Sequence, residues 1–135
     1  MEVFFYGLFM DQNLLSEKGI RTSNPRKGCL QNYGLRIGNR ASLVKSENEK
    51  AYGIIMTVDR DEITELYSDY SVVDYHPEDV MIVAENEENK SAVCYNLPTS
   101  LISGTNKEYA KSLYILAKQL DLPTDYLNKI AAFTN

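Results

Sequence analysis

Short apolar runs punctuated by turn residues fill most of this chain, and two helical stripes close it. Val3-Phe4-Phe5-Tyr6 is a β-branched and aromatic run that suits a buried strand. Gly7 breaks the run; a glycine there permits positive φ and lets another group come close to the backbone. Asp11 then offers an N-cap, with Leu14 and Leu15 in the turns behind it, so a short helix is expected from Asp11 to Lys18, ended by Gly19. Strand, glycine turn and helix start together leave backbone N–H groups facing one spot, which suits a carboxylate or a developing oxyanion. The plainer reading is a first core strand with a glycine for its turn.

Ser23-Asn24-Pro25 reads as a turn and Cys29–Ile37 as a strand, followed by turn chemistry at Gly38-Asn39. Ala41–Val44 is a further short strand, and the polar run Lys45–Lys50 a loop or hairpin tip. Ala51–Val58 is the most apolar stretch and is expected to be a central strand buried on both faces. Asp59 with Glu62 resembles a capping box, ahead of Ile63, Leu66 and Tyr67 on one helical face. Ser68–Asp79 lacks periodicity and forms a long connection, of a length that is often functional. Val80–Ala84 and Ala92–Leu97 make two strands around the acidic tip Glu85–Lys90. Thr105 and Glu108 form a second capping box before the stripe Tyr109, Leu113, Leu116, Leu120; after Pro123, Tyr126, Leu127, Ile130 and Ala131 face inward on a last helix. About six short strands with inserted and appended helices predict one α+β domain over 1–135. Its core is expected to be a small, mainly antiparallel, partly closed β-barrel with two C-terminal helices.

Charge narrows the partners. A formal net charge of −5 disfavours nucleic acid and anionic membrane surfaces. No apolar run approaches the roughly 20 residues that span a bilayer, and the N-terminus does not read as a signal peptide. Cys29 and Cys94 are too few for a zinc site and read as reduced, buried small apolar residues. A cytoplasmic protein is therefore expected, and no GxGxxG, P-loop or histidine cluster announces a cofactor or a metal. Oligomeric state stays open, a homodimer included.

Several separated pieces, in order, resemble the γ-glutamylcyclotransferase superfamily. They are Phe5-Tyr6-Gly7-Leu8-Phe9-Met10, then Arg40-Ala41-Ser42-Leu43, then Tyr52-Gly53-Ile54-Ile55-Met56. Leu66-Tyr67-Ser68-Asp69-Tyr70 follows, then Ala92-Val93-Cys94-Tyr95, Tyr109, and Leu120-Asp121-Leu122-Pro123-Thr124-Asp125-Tyr126. Two departures stand out. Leu8 replaces the small polar residue usual after Tyr-Gly, and the position of the family's glutamate, four after Leu66, holds Tyr70. Leu66-Tyr67-Ser68-Asp69 with Tyr75-His76-Pro77-Glu78 is similar to a second version of the motif, in which Asp69 takes the acid position.

The resemblance implies an intramolecular, cofactor-independent reaction. The α-amine of a γ-glutamyl group attacks its own γ-carbonyl, 5-oxoproline forms and the amine partner leaves. One carboxylate with a pKa raised toward neutrality would relay the proton, and amides after Tyr6-Gly7 would hold the oxyanion. On that basis Asp69 is the candidate general acid/base, with Glu78 as backup acid. Tyr6, Gly7, Leu8, Phe9, Met10 and Tyr109 are the candidate substrate-binding residues for a small-molecule substrate. Asp69 reaches about 1.5 Å less than a glutamate, and a misplacement of about 1 Å costs on the order of a hundredfold in rate. An exposed loop aspartate is the alternative reading of Asp69, and His76 reads as structural or solvated. The leading expectation is a cyclotransferase; the runner-up is a catalytically inactive carboxylate-binding member of the same fold, and the third an interaction protein with an empty fold.

Overall fold

The computed structural model describes residues 1–135. Its strands are β1 (Glu2–Phe5), β2 (Thr22–Ile37), β3 (Ala41–Val58), β4 (His76–Ala84) and β5 (Asn89–Asn96). Helix α1 (Gln12–Glu17) lies between β1 and β2, and α2 (Arg60–Leu66) between β3 and β4. Two further helices, α3 (Lys107–Gln119) and α4 (Thr124–Ala132), end the chain. The strands close a barrel in the order β1-β3-β2-β4-β5. Every pairing is antiparallel except the seam, where β1 meets β5 in parallel at Val3↔Val93. The expected α+β barrel is thus present, and it is closed rather than partly closed.

Five strands stand where about six short ones were expected, because β2 and β3 form one long hairpin. Ser23-Asn24-Pro25 is an irregularity inside β2, with Asn24 at φ 53°, rather than a separating turn. Lys45–Lys50 belongs to β3: Tyr33 pairs with Lys45 and Gln31 with Lys50, so residues 46–49 bulge out opposite Asn32. Its polarity reflects exposure of the bulge, where Arg36 holds Glu49 at 2.8 Å.

Helix caps follow local chemistry with two exceptions. Asp11 accepts from the Asn13 N–H at 2.9 Å, and Asp59 from the N–H groups of Asp61 and Glu62. Glu62 does not close a box; it binds the backbone and guanidinium of Arg21 at 2.8 Å. For α3 the cap is Asn106, not Thr105. Gly19 takes φ 82° at the end of α1. Apolar residues of all five strands and of α1–α4 share one core, which includes Phe4, Leu15, Ile55, Met56, Ile63, Ile82, Leu113 and Ile130. No helix is long and apolar enough to cross a membrane.

Candidate functional site

A cavity of about 280 Å³ opens where β1 runs into the Gly7 turn. Phe4 to Phe9 form one wall, Asn39, Arg40 and Ala41 a second, Tyr67, Ser71, Val72 and Tyr75 a third, with Tyr95 and Tyr109 completing it. Leu14 and Lys18 of the α1 segment stand at its edge.

Sequence order explains how these groups meet. Gly7 and the 3₁₀ turn Leu8–Met10 end β1 at the barrel rim. The turn between β2 and β3 brings Arg40 beside them, and it is pinned by the Asn39 N–H donating to the Ser103 carbonyl at 2.7 Å. Asn106 works in two directions. Its Oδ1 accepts from the Tyr109 N–H at 3.0 Å, and its Nδ2 donates to the Asn39 carbonyl at 3.2 Å. One capping residue therefore fixes Tyr109 and the Arg40 turn relative to each other.

Gly7 has φ −105°, so the expected left-handed turn is absent. Glycine is needed for the other reason: a Cβ there would lie 2.5 Å from Tyr109 Oη. That hydroxyl accepts from the Leu8 N–H at 3.3 Å. No hydrogen bond within the chain takes the N–H of Gly7 or Phe9, whereas Met10 and Asp11 donate back to Gly7 and Leu8. Two N–H groups of this turn are thus untaken, and Tyr109 already occupies a third.

The aromatic walls are ordered by mutual packing. Tyr67 stacks on Tyr95 at 3.9 Å with 5° between planes, Phe9 meets Tyr67 edge-on at 6.1 Å, and Tyr75 lies 6.2 Å from Tyr67. Tyr6 Oη donates to the Tyr95 carbonyl at 2.7 Å, and Tyr75 Oη to the Ala41 carbonyl at 2.5 Å. Burial pushes the phenols of Tyr6, Tyr67, Tyr75 and Tyr109 up, so each is a neutral hydroxyl near pH 7 and none is a ready base.

Of the sequence-predicted residues, Tyr6, Gly7, Leu8, Phe9 and Tyr109 line the cavity. Met10 does not; its side chain is buried in the core. Asp69 also lies outside. Its carboxylate is exposed and accepts from the Ser71 hydroxyl at 2.7 Å and the Ser71 N–H at 2.9 Å. The Ser71 hydroxyl, then its N–H, hold the acid below the usual carboxylate range, opposite to what a proton relay near neutrality requires. Tyr70 is 95% exposed and does not fill the cavity either. Glu78 is half-buried on β4 and accepts from Asn96 Nδ2 at 2.8 Å, away from the cavity lining. The exposed His76 starts β4. Cys29 and Cys94 are free thiols, half-buried and buried respectively.

The residues missed from sequence include Lys18, Arg40 and Tyr67. Arg40 directly follows the Gly38-Asn39 turn, the one local signal that would have placed a cation at the rim. Its Nη1 contacts Asp74 Oδ2 at 3.2 Å, and its guanidinium lies 5.8 Å from the Tyr75 ring centroid. No group of three or more His, Cys, Asp or Glu side chains suited to a metal gathers anywhere in the chain.

Comparison with protein-family models finds no match, and neither does comparison with curated sequences. Solved structures do match. One described as a gamma-glutamyl cyclotransferase superposes with TM-score 0.79 at 16% identity, over 98% of this chain and 87% of the other. An uncharacterized Homo sapiens protein gives TM-score 0.80 at 16% identity, over 98% and 86%. An AIG2-like protein from Mus musculus gives 0.58 at 16% identity, over 90% and 83%. At such identities likeness speaks for architecture alone, and over nearly the whole chain it shows that this protein has the γ-glutamyl cyclotransferase fold.

Proposed function

We propose that the protein binds a small molecule bearing a carboxylate in the cavity beside Gly7, and that its present arrangement does not perform the cyclisation. One observation carries this reading: the lining includes Arg40, Lys18, Gly7 and Phe9, the last two with N–H groups untaken within the chain, and it contains no carboxylate. Cations and amides complement an anion. Deprotonating a substrate ammonium needs a base at hydrogen-bond range, and the cavity offers only neutral phenols for that.

A cyclotransferase is the second reading, and one observation favours it. Asp69 borders a neighbouring depression that shares Phe9, Lys18, Ser71 and Val72 with the cavity, so the acid and the cavity have four wall residues in common. Two measurements decide between them. Thermal shift against small carboxylates and their amides should give stabilisation by the acids alone. Incubation with γ-glutamyl amino acids, amines and peptides should release no 5-oxoproline. Turnover that disappears in Asp69→Asn would instead establish the enzyme.

A further inference from the structure

The charges around the cavity say more about its ligand than the presence of a carboxylate. Arg40 and Lys18 line it, and no acid does. Asp74 touches the Arg40 guanidinium at 3.2 Å and Asp69 feels the Lys18 ammonium; neither acid lines the cavity. A ligand inside therefore meets the cations first. Arg40 makes only one contact to Asp74, which leaves most of its five donors for a ligand oxygen pair.

An aromatic-walled cavity can also hold a cation over a ring face. Here one face of each of three rings is already engaged. Tyr67 and Tyr95 cover each other at 3.9 Å, and the Tyr75 ring carries Arg40 at 5.8 Å. The hydroxyls of Tyr6 and Tyr75 donate to backbone carbonyls, so neither offers its proton to a ligand. An ammonium entering this space would lose water, meet like charge and find no carboxylate. An apolar or flat body, by contrast, meets Phe9, Leu8 and the tyrosine edges.

Resting on the carboxylate-binding reading above, we infer that the cavity selects a carboxylate with an apolar or aromatic body and no free amine, and that Arg40 reads the carboxylate. N-acylated amino acids and aryl-substituted carboxylic acids have this chemistry. Zwitterionic amino acids and γ-glutamyl compounds with a free α-ammonium do not.

Three probes with one body test it by calorimetric titration: N-acetyl-L-phenylalanine, L-phenylalanine and N-acetyl-L-phenylalanine amide. The acetylated acid is expected to bind at least about tenfold more tightly than either of the others. Arg40→Gln should erase the difference between acid and amide, and Asp74→Asn, which frees Arg40, should tighten the acid severalfold. Circular dichroism of both variants checks that they fold. Equal or tighter binding of L-phenylalanine overturns the selectivity against amines and leaves carboxylate binding standing. Equal binding of acid and amide, or no binding of any probe, overturns both. An acid preference that survives Arg40→Gln removes Arg40 as the reader.

Discussion

Tyr109 Oη rests over Gly7, accepting the Leu8 N–H at 3.3 Å from across 101 positions of sequence. The contact joins the first strand's exit to the first turn of α3, and both residues line the cavity. A methyl group on Gly7 would come within 2.5 Å of the same oxygen. Gly7→Ala should therefore destabilise the protein by about 1–3 kcal/mol through overpacking, since φ −105° itself suits alanine. Tyr109→Phe should cost about 1 kcal/mol, because it leaves the Leu8 N–H unpaired. In the double variant the two costs should fall short of their sum, which a denaturation double-mutant cycle reads directly. Strict additivity would mean that the hydroxyl does not constrain Gly7.

Asn106 couples a helix cap to the site. Asn106→Ala should lose about 1 kcal/mol of stability from the α3 N-terminus. It should also loosen Tyr109 and the Arg40 turn together, since both hydrogen bonds leave with one side chain. Weaker ligand binding in parallel with lower stability is the expected pattern. Asn106→Asp keeps the cap oxygen but loses the donor to Asn39, so it should spare stability and still weaken the ligand.

Tyr75 ties the connection after α2 to the barrel through its hydroxyl and the Ala41 carbonyl. Tyr75→Phe should cost about 1 kcal/mol and speed amide hydrogen exchange in residues 68–75, while the ring keeps its place against Tyr67. Unchanged exchange there would mean that this hydroxyl does not restrain the connection.

Acid should weaken the bulge of β3. Hydrogen bonds from Arg36, then from Ser46, hold Glu49 down at about 2, against an ordinary value near 4.5. The folded-state pKa is the depressed one, so the stabilisation is present above about 4.5 and is lost as pH falls toward about 2. Both partners are partly exposed, which keeps the effect at or below about 1 kcal/mol. Glu49→Gln should lower Tm at pH 6 and shrink its fall between those limits; a Tm–pH profile parallel to that of the parent would refute the assignment.

Asp69 gives the sharpest functional contrast. With its carboxylate exposed and tied to Ser71, Asp69→Asn should leave the affinity of the cavity for carboxylates unchanged. A severalfold gain of affinity would mean that the acid faces the bound carboxylate and repels it.

Local chemistry alone determined much of this protein. The β1 run, the caps at Asp11 and Asp59, the stop at Gly19 and the stripes of α3 and α4 depend on neighbours a few residues away, and sequence carries that information directly. The barrel with its two terminal helices was legible from the order of these elements, whereas the Tyr6–Phe9 wall with Tyr109 was expected from the family resemblance. Tertiary structure decided the rest. A polar run such as Lys45–Lys50 stays in a strand because a long partner pairs on both sides of its bulge, and no local pattern encodes that partner. The side on which Asp69 falls depends on how residues 67–75 fold back through the bonds of Tyr75 and Asp74. Arg40 acquires its meaning only where the hairpin turn, the Gly7 turn and Asn106 converge. The charge of a cavity is a sum over residues that the chain brings together from distant positions, so it exists only once the barrel has closed.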